Sequence, residues 1–111
     1  MTEKVSLLEE RLMERQSKLI ELFGTRYKSK KIGGELFFAA PRGRVFAVDT
    51  FPYYKSIFLE WADSFEKASG GRVDGDLYSI DLTEEEMIQA MLKEIEEKKI
   101  INKQSISPEV L

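Results

Sequence analysis

Apolar positions along the chain fall into helix-like stretches separated by shorter strand-like runs. In residues 3–23, Val5, Leu8, Leu12, Leu19 and Leu22 share one stripe, widened by Leu7, Ile20 and Phe23. This spacing predicts an amphipathic helix over 1–24. Gly24 is its stop, and Glu14 and Lys18 form an i,i+4 pair on the wet side. The stripe repeats about every 3.5 residues, the period of a coiled-coil seam, so a homodimer through this helix is one partner option. The stripe is short, however, and Arg15 fills a position that a seam wants apolar. A helix lying on its own domain is the preferred reading.

Residues 25–34 read as a polar, basic connection ending at Gly33-Gly34. "ELFFAA" and "VFAVD" then read as two short strands, apolar on both faces and joined by "PRGR". Pro41 presets the turn and Gly43 accepts a positive φ, which predicts a β-hairpin over 35–49. Strands apolar on both faces belong inside a covered sheet.

The stretch 52–69 supports two patterns. Tyr54, Ile57, Phe58, Trp61, Phe65 and Ala68 keep helical spacing, with Pro52 in an early turn and Gly70-Gly71 as the stop. Ile57, Leu59 and Trp61 alternate as on a strand, which would leave "DSFEKAS" as a short helix. Six helical matches against three alternating ones favour the helix. After a turn at Asp74-Gly75, the alternation of Tyr78, Ile80 and Leu82 predicts a half-buried strand over 76–82. Thr83 and Glu86 form a capping box that opens a helix over 83–99. Met87, Ile88, Met91, Leu92 and Ile95 form its stripe, and Lys98 and Lys99 lie at its C-terminal end. Residues 100–111 are a tail with little pattern. The order α-β-β-α-β-α predicts an α+β fold, a small, mainly antiparallel sheet with helices packed on it, in one domain over 1–111.

Composition narrows the chemistry. With 42% hydrophobic and 33% charged residues, the chain is globular rather than disordered. There is no cysteine, which suits a reducing cytoplasm. No apolar run approaches a membrane span, and "MTEKVSLLEERL" has no signal-peptide core. There is also no histidine, so a Ser-His-Asp triad is impossible, and without cysteine as well a structural zinc site is disfavoured. Catalysis would have to use carboxylates, Lys, Tyr, Ser or Thr.

Each candidate site competes with a structural explanation. Asp74, Asp76 and Asp81 do not make a calcium loop, because the required ligand positions before Gly75 hold Gly70 and Arg72. Asp49 and Asp81, each near a strand end, would be the carboxylates of a metal-dependent enzyme. The Glu96-Glu97-Lys98 match to a nuclease pattern lies in a helix, which weakens that idea. The two Gly-Gly pairs lack a nucleotide-binding context. The chain carries a net charge of -3, yet residues 24–44 hold six cations and one acid. Arg26, Lys28, Lys30, Lys31, Arg42 and Arg44 are therefore candidate macromolecule-binding residues. Nucleic-acid binding through the 26–31 loop and the 42–44 turn is the first alternative. Because a hairpin tip and the connection entering its first strand lie at opposite strand ends, the two groups are expected apart. The charge division along the chain predicts a polarised surface. Tyr53, beside Pro52, is the aromatic candidate for a partner surface. The expectation is a small, non-enzymatic cytoplasmic domain that needs no cofactor or metal. It acts by binding another protein, as an adaptor, inhibitor or immunity-type partner.

Overall fold

A computed structural model describes residues 2–70 and 74–97, with side chains from Leu7 onward. Its elements are α1 (Thr2–Arg26), β1 (Ser29–Ile32), β2 (Glu35–Ala39), β3 (Val45–Phe51), a 3-10 turn (Pro52–Tyr54), β4 (Ser56–Ala62), the single-turn α2 (Phe65–Ala68), β5 (Asp74–Ser79) and α3 (Glu84–Glu97). The strands form an antiparallel meander in the order β1-β2-β3-β4-β5. The α+β class is as the sequence predicts. No described helix is long and apolar enough to cross a membrane.

Strand alternation divides the sheet into two faces. Phe38, Phe46, Val48, Ile57, Leu59 and Trp61 face α1 and α3, where they meet Leu12, Leu19, Phe23, Met87, Met91 and Ile95 in the main core. Phe46 is at its centre, in ring contact with Phe23, Tyr27, Phe38 and Trp61 at 5.3–5.7 Å. Phe37, Val45, Ala47 and Ala62 point the other way, where α2 covers them with Ala68 and Phe65. The hairpin strands are apolar on both faces because each face has its own cover.

Arg15, the polar residue on the α1 stripe, points inward. Its Nη1 donates to Leu82 O at 3.1 Å, tying α1 to the segment that leads into α3. Thr83 and Glu86 make the expected capping box. Thr83 N donates to Glu86 Oε1 at 2.9 Å and Glu86 N donates to Thr83 Oγ1 at 3.0 Å.

Several elements differ from expectation. Gly24 does not stop α1, which runs to Arg26. The extra turn is held by packing of Tyr27 on Phe23 and Phe46, which outweighs the cost of about 1 kcal/mol for glycine in a helix. Residues 25–34 are not a loop. Ser29–Ile32 form the edge strand β1, and Gly33-Gly34, with φ of 60° and 83°, make a two-residue reversal. A short edge strand carrying Lys30 and Lys31 resists pairing with other chains. The helix expected over 52–69 is replaced by the 3-10 turn, β4 and α2. Residues 56–62 pair with β3 along their whole length and with β5 over six positions, and they bury Ile57, Leu59 and Trp61 in the core. The helical spacing of six apolar residues arises because both strand faces carry apolar side chains. Asp74-Gly75 is strand rather than turn. Gly75 lies beneath the Phe58 ring, where any Cβ would overlap it. Ile80 leaves the strand and donates its N–H to Lys55 O at 2.9 Å. Gly71, Lys98, Lys99 and the tail over 100–111 lie outside the described residues.

Candidate functional site

The fold brings some of the predicted basic residues together and sets others apart. Pairing of β1 with β2 doubles the chain back, and Ala39 N donates to Lys28 O at 2.9 Å. Arg26 and Lys28 therefore lie at the same end of the sheet as the Pro41–Arg44 turn, contrary to the expected separation. Lys30 and Lys31 lie further along β1 on opposite faces, with Lys30 Nζ 6.0 Å from the Phe65 ring centroid. Arg42 Nε donates to Glu96 O at 3.0 Å, at the C-terminal end of α3.

Arg44 departs furthest from expectation. Predicted on a wet turn, it is 0% exposed. Its guanidinium lies 6.0 Å from the Trp61 ring, with Asp63 at 3.5 Å and Asp74 at 3.7 Å. Arg44 shares the face of Phe46, so the alternation that carries Phe46 inward carries Arg44 inward too. Arg44 thus pairs with Asp63 and Asp74, Arg42 donates to the Glu96 carbonyl, and Lys18 meets Glu84 at 3.8 Å. Folding ties Arg44 to later acids, while Arg26, Lys28 and Arg42 stay at one end of the sheet.

Beside Arg44, on the helix side of the sheet, Glu94 is the hub of a polar cluster. Trp61 Nε1 donates to its Oε2 at 3.1 Å and Tyr78 Oη donates to its Oε1. Burial raises the Glu94 pKa above the ordinary carboxylate value, and the neighbouring Asp76 carboxyl raises it further. Burial also raises the Tyr78 phenol, reinforced by Glu94. Tyr78 is thus a permanent donor at ordinary pH, and the cluster clasps α3 to the sheet.

The opposite sheet face has a different character. α2 covers one part of it. Beyond that cover, ring contacts link Tyr53, Tyr54, Phe51 and Phe58 in a continuous string with centroid spacings of 4.8, 5.2 and 5.7 Å. Tyr53 is 81% exposed, Tyr54 56% and Leu77, the register partner of Phe58, 42%. The 3-10 turn projects the two tyrosines, and Lys55 closes it in the left-handed region at φ 50°. Next to this string, Glu35, Asp49 and Glu60 bring carboxylate oxygens within 4.8 Å of one another. Asp49 is the cross-strand partner of Phe58, so the acids and the aromatics adjoin. Asp81, the other expected carboxylate, is not among them. It follows β5 in an exposed turn, with its N–H donating to Ser79 Oγ at 3.0 Å. Surface carboxylates this close are common without an ion, and the trio alone is not a built metal site.

Of the predicted site residues, Tyr53 is the one that joins this aromatic string, through Tyr54 on the 3-10 turn, which also adjoins α1. Phe51, Phe58, Leu77, Glu35, Asp49 and Glu60 were missed as a group. The signal for them lies in the strand register, since a sequence read as helix over 52–69 cannot place Phe58 opposite Asp49. Comparison with family models, with curated proteins and with solved structures gives no match for this chain.

Proposed function

We propose that the chain is a small, non-enzymatic, cytoplasmic domain that works by binding another protein through the sheet face opposite α1 and α3. The observation that carries this reading is the aromatic string from Tyr53 to Phe58, continuous with Leu77 and bordered by three carboxylates. Tyrosine and phenylalanine on a rigid sheet supply large contact area at low entropic cost, as protein interfaces use them. The chemistry that the sequence leaves available points the same way, with no histidine or cysteine to serve as nucleophile, base or soft ligand.

Site-specific photo-crosslinking in the cell of origin tests the reading. A photoreactive residue replaces Tyr53 or Leu77 on the sheet face, and Met13, exposed on α1, serves as control. The expected result is one discrete protein adduct from positions 53 and 77 and none from 13. An adduct from position 13 alone, or adducts that disappear on nuclease treatment, would contradict it.

A second reading, nucleic-acid binding, draws on the return of β1 along β2, which gathers Arg26 and Lys28 at the end that carries Arg42. It requires affinity that falls steeply with salt and is lost when Arg26 and Lys28 are reversed to Glu.

A further inference from the structure

We infer that a second copy of this chain docks on the open edge of β5, so that two β5 strands pair antiparallel about a twofold axis at Leu77 and the two sheets become one. The inference is independent of the docking reading above, because pairing at the edge leaves the ring string of Tyr53, Tyr54, Phe51 and Phe58 uncovered.

β1 and β5 are the two edges of the sheet. β1 is guarded by Lys30 and Lys31, whereas β5 carries no lysine or proline, and Asp76, Leu77 and Ser79 are exposed on it. The ladder fixes where each backbone group on β5 points. Ile80 N–H donates to Lys55 O at 2.9 Å, one step beyond the pair of Ser79 and Ser56. Antiparallel bonding alternates along a strand, so Tyr78, Asp76 and Asp74 also bond β4. Gly75, Leu77 and Ser79 therefore turn their N–H and C=O groups outward. Two of these outward groups are satisfied within the chain. Gly75 N–H donates to Asp74 Oδ1 at 2.9 Å, and Ser79 O accepts from Leu82 N at 3.1 Å. Leu77 N–H and C=O, Ser79 N–H and Gly75 C=O have no hydrogen-bond partner among the described residues.

This pattern is complementary to itself. About a twofold axis at Leu77, each Leu77 exchanges both backbone bonds with Leu77 of the second copy, and each Ser79 N–H meets Gly75 O of the second copy. The two capped groups, Gly75 N–H and Ser79 O, would face each other across the axis, so they drop out together. An unrelated antiparallel strand on this edge leaves one of its own donors and one of its own acceptors facing those capped groups. The side chains agree with the backbone. The same register sets Leu77 opposite Leu77, Gly75 opposite Ser79 and Asp76 opposite Tyr78, so no acid lies directly opposite an acid. The Leu77 pair is flanked by Phe58 on each β4, which joins the apolar surfaces of the two copies. Asp76 lies diagonal to Asp76 of the second copy, so salt strengthens the pairing by screening.

Sedimentation equilibrium of the purified full chain tests this, from about 10 µM to about 1 mM protein and in about 50 mM and about 500 mM NaCl. Two variants accompany the parent. Leu77→Pro removes the outward N–H without touching the ladder to β4, at a position where an edge strand accepts proline. Leu77→Lys keeps the N–H and sets like charges opposite each other across the axis. The expected result is a reversible dimer, tighter in the higher salt, that each variant weakens at least about tenfold with an unchanged far-ultraviolet circular dichroism spectrum. Where Leu77→Pro fails to fold, Leu77→Lys decides, together with ¹H–¹⁵N spectra of the parent, which are expected to shift with concentration at the amides of β5. A monomer at every concentration overturns the inference. So does a dimer that salt loosens, one that withstands either folded variant, or one whose concentration-dependent shifts fall on α1, which would make it a helix seam.

Discussion

Replacing Arg44 with methionine leads to an outcome that a buried arginine does not usually suggest. The side chain is fully enclosed, and none of Nε, Nη1 and Nη2 has a hydrogen-bond acceptor among the described residues. Each buried donor left in this way costs about 1–3 kcal/mol. Against that cost stand ion pairs at 3.5 and 3.7 Å with Asp63 and Asp74, whose side chains are themselves 42% and 35% exposed. Pairs this accessible contribute about 0–1 kcal/mol each, and the aspartates can turn to water when the guanidinium is gone. The remaining contribution is contact with Trp61, worth about 1–2 kcal/mol, which a methionine of similar length largely keeps. Arg44→Met is therefore expected to be as stable as the parent or more stable by up to about 2 kcal/mol. Arg44→Ala, which also removes the stem that packs on Trp61, is expected to lose about 2–4 kcal/mol. Urea unfolding followed by fluorescence of the single tryptophan measures both, read as a change of midpoint at constant slope. A loss of more than about 2 kcal/mol for Arg44→Met would refute the reasoning and show the guanidinium to be net stabilising.

Gly75→Ala forces a Cβ into the Phe58 ring and is expected to cost about 1–3 kcal/mol, partly recovered in the double variant with Phe58→Leu; additive losses in that cycle would contradict the overlap. Glu94 has a raised folded pKa, so the folded state holds its proton more firmly than the unfolded chain. The stability it contributes is complete below the ordinary carboxylate range and is lost as pH rises through its folded value. Glu94→Gln should accordingly show a smaller decline in urea midpoint than the parent as pH rises above the ordinary carboxylate range, and an unchanged decline would remove Glu94 as the source. Thr83→Ala removes the acceptor for Glu86 N and should lower stability by about 1 kcal/mol, seen as a fall of about 4–6 °C in Tm.

The legible parts of this fold were those whose signal is local. The Thr83–Glu86 capping box and the Met87, Met91, Ile95 stripe specify α3 without help from the rest of the chain. The hairpin around Pro41 and Gly43 is equally local. What was not legible depends on pairing between strands. Residues 56–62 satisfy a helical count and an alternating count together, and the choice is made by the ladders to β3 and β5. The edge strand β1 is polar because one side of it faces solvent, so its four residues carry no apolar pattern. Arg44 was misplaced for a related reason. Charge predicts a wet position, but its place one alternation before Phe46 fixes the direction of its side chain. The grouping of Glu35, Asp49 and Glu60 beside the aromatic string became visible only with the register, because they are far apart in sequence and adjacent on β2, β3 and β4.

Purification of the tagged full chain from its cell of origin, with and without nuclease, tests the central claim most directly when two variants accompany the parent. One is Tyr53→Ser/Leu77→Ser on the sheet face, both exposed positions. The other is Arg26→Glu/Lys28→Glu at the basic end, also exposed. The account predicts a protein partner that survives nuclease, stays with the basic-end variant and is lost from the sheet-face variant. A nucleic acid that co-purifies with the parent and with the sheet-face variant but not with the basic-end variant would contradict it.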